Sequence, residues 1–187
     1  MLSDKNIRLA VYLSSITFVI HAYAIFFAGF SWFRDELYYM ACTDHLSFGY
    51  VDHPPLSVWI LWVIRTVSGD SLEVVRLVPA LVSAAVVFFS SRIALRLGGS
   101  TLSVIITALP VTFMPVFIGM NSVYSMNAFE YLFWAVAIYY AILLHEEPTP
   151  KKFVILGFIL GFALLNKISA GWLSMGFFVS LLLSRNR

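Results

Sequence analysis

A chain of 187 residues that is 60% hydrophobic, 12% charged and of mean hydropathy +0.88 cannot be an ordinary soluble domain, in which about a quarter of residues are charged. Its net charge of +2 gives no basis for a nucleic-acid partner. Cys42 is the single cysteine, which excludes an intrachain disulfide, a CxxC pair and a cysteine-based zinc site.

The N-terminal "MLSDKNIR" followed by an apolar run has the look of a signal peptide, and Ala22-Tyr23-Ala24 resembles a cleavage site. Apolar character continues to Phe33, however, and further long apolar segments follow, so the run reads as an uncleaved first membrane helix. Apolar stretches predict six transmembrane helices, at about Ile7–Phe30, Leu72–Leu97, Leu102–Gly119, Asn127–Leu144, Phe153–Leu165 and Ala170–Leu183. Pro55–Val67 is apolar but short, and its Trp59 and Trp62 suit a helix lying along the membrane surface. Pro110 and Pro115 predict a kink in the third span, and Gly157-x-x-x-Gly161 gives the fifth a small-residue face. The expected fold is therefore all-α: one polytopic transmembrane domain over residues 1–187, with surface helices in a first external loop at about 31–70.

Charge sets the expected orientation. With six spans and a cytoplasmic N-terminus, Lys5, Arg8, Arg92, Arg96, Lys151, Lys152, Arg185 and Arg187 face the cytoplasm, while Arg34, Arg65, Arg76 and Lys167 fall outside, as the positive-inside rule prefers. This makes a multi-pass cell-membrane protein with its N-terminus inside.

The external stretch "RDELYYMACTDHLSFGYVDHPPL" concentrates carboxylates at Asp35, Glu36, Asp44 and Asp52. Asp35 and Glu36 open a short helix, where the macrodipole stabilises negative charge whether or not they do chemistry. Neighbours on a helix point about 100° apart, so one of the two is expected to face a groove. Asp35, Tyr38, Tyr39 and Cys42 share a face, with Leu37, Met40 and Ala41 expected to pack inward. Asp52 reads either as an N-cap before a helix opened by Pro54 and Pro55 or as part of a site. A carboxylate at the membrane surface has the chemistry of a general base, taking a proton from an acceptor while another molecule supplies an activated group.

Three more residues complete the set. Lys167, at the end of the fifth span, either snorkels to the interface or binds a phosphate as a point charge. Glu130 is costly inside a span unless paired or facing a wet cavity. His53 has the capacity to donate to a phosphate, ligate a metal or act as a plain loop histidine. Asp35, Glu36, Asp52 and His53 are hard ligands suited to a divalent cation, although their spacing fits no specific metal motif.

"RDELYY", "YVDHPPL", "YSMNAFEYLFW" and "GFALLNKISA", in that order across about residues 10–183, resemble membrane glycosyltransferases of the GT-C class. The likeness is to the dolichyl-phosphate-mannose protein mannosyltransferase (glycosyltransferase 39) family and its relatives that move aminoarabinose onto lipid A. The resemblance implies transfer of a sugar from a polyprenyl-phosphate carrier to a protein, lipid or glycan acceptor on the external face. By that likeness Asp35 is the catalytic base with Glu36 beside it, Asp52 and His53 help form the donor pocket, and Lys167 approaches the donor phosphate. Relatives often carry an aspartate where this chain has Asn127, and Glu130 one turn later is the residue placed to supply that charge. Family members continue with further spans, so the chain looks like the N-terminal half of such a module. The rival readings are a non-catalytic carrier or transporter component that binds polyprenyl phosphate through Lys167 and His53, and an inactive fragment.

Overall fold

The computed structural model describes residues 4–184. Arg185 and Arg187, the expected cytoplasmic stop, lie outside the described residues. The fold class is as expected: helices α1 (Asp4–Phe27), α2 (Arg34–Thr43), α3 (Leu56–Ser68), α4 (Leu72–Arg96), α5 (Thr101–Phe113), α6 (Pro115–Asn121), α7 (Met126–Glu146), α8 (Pro150–Asn166) and α9 (Ala170–Ser184) follow one another, with no strand among the described residues.

The count of six spans is corrected. Three described helices, α1, α4 and α7, are long and apolar enough to cross a bilayer, and the bent pair α5–α6 makes a fourth if taken as one broken span. The physical reason is length. At 1.5 Å per residue the 17 residues of α8 rise about 26 Å, short of a hydrocarbon core of about 30 Å, and α9 reaches the end of the described residues after 15.

The third span breaks where proline dictates. The residue before a proline is pushed out of the helical region, and Met114 is extended at φ −71°, ψ 134°. Pro115 then starts α6 with no N–H to donate, and the two helices meet at 60°. Pro110 lies inside α5 without interrupting it. Pro115→Ala is therefore expected to restore a donor toward the Val111 carbonyl and straighten the pair, which spin labels at positions 106 and 120 would record as a longer separation.

Helix α4 is the centre of the bundle, packed against α1, α5 and α7. Helix α1 turns its small and polar residues inward, burying Ala10, Ser14, Thr17 and His21 at helical spacing while Tyr12, Val19, Tyr23 and Phe27 stay exposed, as expected of a lipid-facing surface. Thr17 and Thr112 share a 2.7 Å hydrogen bond that ties α1 to α5. At one end of the bundle, Arg96 of α4 pairs with Glu146 of α7 at 2.6 Å, Arg92 donates to the Tyr139 hydroxyl at 3.0 Å, and Thr101 donates to Asn6. At the other end, α2, α3, the α6–α7 turn and the start of α9 come together. That end carries the candidate site.

Candidate functional site

Glu36 is the anchor. It is fully buried and takes four hydrogen bonds: from Arg76 Nε at 3.0 Å and Nη2 at 2.7 Å, and from the Phe33 and Tyr124 amides at 2.9 Å each. The Phe33 bond is one half of a capping box, fixing the first turn of α2. Arg76, itself buried, also donates to the carbonyls of Phe30 at 3.1 Å and Ser31 at 2.8 Å. A buried ion pair is tolerable only when its hydrogen-bonding capacity is filled in this way. The pair fastens the end of the α1–α2 connection, the first turn of α2 and the α6–α7 turn onto α4.

This anchoring rotates α2 relative to the sequence expectation. Glu36, Tyr39, Cys42 and Thr43 face inward, whereas Leu37 and Ala41, expected inside, are exposed. The cause is Arg76, four residues into α4, whose charge must be met from α2. By sequence Arg76 counts only as one of the external basic residues. An arginine that close to a long apolar run was the available signal, because an ionisable group within a span calls for a named partner.

Asp35 stands one residue from this locked pair with its side chain half exposed, 3.2 Å from the largely exposed Arg34. One carboxylate of the adjacent pair is thus consumed by structure and the other is open, as the 100° divergence of neighbours on a helix requires.

Asp52 and His53 follow in the α2–α3 loop. Asp52 is exposed and is not an N-cap: α3 begins at Leu56 with Pro55 before it, and no side chain caps it. It lies close enough to Tyr38 to contribute, after desolvation and Cys42, to pushing that phenol up to about 12. His53 is buried, stacked on Tyr39 with ring centres 4.6 Å apart and edge-on to Tyr38 at 5.7 Å, with Nδ1 3.0 Å from the Pro54 carbonyl. A carbonyl only accepts, so this contact places a proton on Nδ1. Tyr39 in turn accepts from the Met126 amide at 3.1 Å, and the buried Tyr124 hydroxyl donates to the Ser57 carbonyl at 2.7 Å.

The second cluster grips the same turn from the other side. Lys167, in the α8–α9 connection, donates to Glu130 at 2.6 Å and to Asn127 at 2.8 Å, both on α7. Ser169 donates to the other Glu130 oxygen, and Asn166 donates to the Met126 carbonyl at 2.9 Å. Glu130 is therefore paired, which is how a partly buried carboxylate in a span is stabilised. It also lines an apolar cavity of about 350 Å³ between α4, α5, α6 and α7, walled by Val111, Phe117, Tyr131 and Trp134. Neither Asp35, Asp52, His53 nor Lys167 lines that cavity. The two clusters meet through residues 124–127, with the Tyr124 and Met126 backbone held by Glu36, Tyr39 and Asn166 and the Asn127 side chain held by Lys167.

Among the described residues no three His, Cys, Asp or Glu side chains converge as they would on a metal ion. The four hard ligands expected to be available for a cation are parted because Glu36 turns into the bundle toward Arg76.

Comparison with known families supplies the deciding observation. A sequence model described as dolichyl-phosphate-mannose-protein mannosyltransferase matches residues 52–187. The chain belongs to that family. The matched segment opens on the Asp52-His53-Pro54-Pro55 turn and takes in Arg76, Asn127, Glu130 and Lys167, while Asp35 and Glu36 precede it. Searches of curated proteins and of solved structures give no match. Family membership makes this a GT-C-type membrane glycosyltransferase sequence, in keeping with the apolar helices α1, α4 and α7.

Proposed function

We propose that the chain acts in transfer of a sugar from a polyprenyl-phosphate donor to an acceptor at the external membrane face, with Asp35 as general base. The observation that carries this reading is the unequal fate of the adjacent carboxylates: Glu36 is locked by Arg76 and two amides, while Asp35 beside it is half exposed. A base must be held still yet reach a mobile substrate, and a rigid neighbour supplies the first condition without occupying the second. Glu36 then serves as a positioning residue rather than as a second base.

The donor's anionic phosphate falls to Lys167. Its ammonium has three donors, of which Glu130 and Asn127 take two, leaving one for a phosphate oxygen. Stabilising charge on the departing phosphate lowers the barrier to sugar transfer. The apolar cavity beside Glu130 suits the hydrocarbon next to such a headgroup. With Nδ1 holding its proton against Pro54, His53 supports the aromatic packing under Asp52. Lys167→Ala should weaken binding of a short-chain polyprenyl phosphate about tenfold, the size expected for one hydrogen bond to a charged group, in a titration of the protein in nanodiscs. Unchanged affinity would remove Lys167 from the donor site.

The same reading sets the N-terminus in the cytoplasm and α2 outside. Cys42 is a poor reporter of this, because it is buried and burial pushes its thiol up. Ala41 is exposed one residue earlier. Ala41→Cys in a Cys42→Ser background should react with an impermeant maleimide in intact cells, and reaction only after the inner face is opened would reverse the orientation.

A further inference from the structure

The corner between α2 and α3 holds a polar cavity that the transfer chemistry does not use. Arg65, near the end of α3, donates from Nε and Nη2 to both oxygens of Asp70 at 2.7 and 3.2 Å. From Nη1 it reaches the Met40 carbonyl and Asp44 Oδ1, each at 2.9 Å, and the Thr43 hydroxyl. Gly69 makes this geometry possible: its φ of +69° lets the chain reverse after α3 and return Asp70 to Arg65. The ends of α2 and α3 are thereby clamped.

The clamp has an open outer side. Thr43, Asp44, Trp62, Arg65, Thr66 and Asp70 line a cavity of about 240 Å³. Trp62, one of its lining residues, is 44% exposed overall, and the Asp44 and Asp70 carboxylates are 62% and 60% exposed. Asp44 is engaged through one oxygen, leaving the other free to accept. Thr66 gives its proton to the Trp62 carbonyl at 2.8 Å, so its hydroxyl also presents lone pairs.

We propose that this corner is a subsite for one pyranose unit, uncharged or amine-bearing, of a glycan acceptor. An aromatic face beside fixed acceptors is the chemistry that recognises such a ring, with C–H groups packed on the indole and hydroxyls donating to Asp44 and Thr66. Two carboxylates against one guanidinium leave the rim with a net charge of −1, which disfavours uronic acids and phosphorylated sugars. Asp44 follows Asp35 by nine residues, about 14 Å along α2 at its helical rise. The unit bound here is therefore not the one receiving the new sugar, and the acceptor is an extended glycan. The acceptor role rests on the glycosyltransferase reading; sugar binding itself does not.

The test is saturation-transfer NMR on the full chain in lipid nanodiscs, without donor. Methyl mannopyranoside, methyl glucopyranoside and glucosamine should receive saturation on their ring protons, and glucuronate should receive little. Asp44→Ala, which leaves the Arg65–Asp70 pair intact, should weaken binding about tenfold. Trp62→Ala should abolish it and Trp62→Phe should restore part, with circular dichroism confirming the helices. No saturation of any sugar, equal saturation of glucuronate, or undiminished binding in both Asp44→Ala and Trp62→Ala would overturn the subsite. Transfer activity in a chain that binds no free sugar would remove the subsite and leave the transferase reading standing, whereas sugar binding by a chain with no transferase activity would do the reverse.

Discussion

Asp35→Asn is expected to reduce sugar transfer by about a hundredfold to ten-thousandfold, the contribution of a positioned general base, while leaving the fold unchanged. Its side chain is half exposed and, among the described residues, its one side-chain hydrogen bond is to the exposed Arg34, so no buried ion pair depends on its charge. An asparagine keeps the shape and loses the ability to take a proton. The measurement is turnover of a polyprenyl-phosphate sugar by the protein in nanodiscs, with donor binding followed in parallel. Loss of turnover with donor affinity retained assigns the residue to the chemical step. Undiminished turnover would end the catalytic role of Asp35.

Arg76→Ala is expected to destabilise the protein by about 3–5 kcal/mol, because it strands a buried carboxylate with no counter-charge. Glu36 is fully buried, so water cannot take the place of the guanidinium. The same change releases the carbonyls of Phe30 and Ser31 and slackens the α1–α2 connection. Unfolding monitored by circular dichroism in mixed micelles would measure the loss. Adding Glu36→Gln to Arg76→Ala should recover part of it, since glutamine removes the uncompensated charge and its single carbonyl oxygen still accepts from one of the Phe33 and Tyr124 amides, which bond different oxygens of Glu36. If the double variant were as unstable as the single, the cost would lie in lost packing rather than in the unpaired charge. Glu36→Gln alone should lower transfer by less than Asp35→Asn does, because positioning is loosened while the base remains.

The pattern of prolines and of small, apolar and charged residues was enough to read an all-helical membrane chain from the sequence. The broken third span was legible as well, because Pro115 removes a donor and Met114 cannot stay helical before it wherever the segment sits. The six-span count failed because the apolar runs of the expected fifth and sixth spans, Phe153–Leu165 and Ala170–Leu183, are already shorter than a bilayer requires, and the polar turns before Pro150 and after Asn166 hold α8 to 17 residues. Three of the four motifs that carry the resemblance, those around Asp52, Asn127 and Lys167, fall in the segment that the family model matches, and RDELYY precedes it.

What only the tertiary structure decided is which carboxylate is buried and which is open. Asp35 and Glu36 are adjacent and chemically alike, and no local rule says which turns inward. Arg76, forty residues later, decides it, because a buried guanidinium costs so much without a partner that it dictates the rotation of α2. Sequence likewise marked Glu130 and Lys167 as out of place, but their pairing, and their common hold with Glu36 and Tyr39 on residues 124–127, depends on the folding of α8 beside α7. Residue type determined the chemistry available; long-range charge compensation determined where it is exposed.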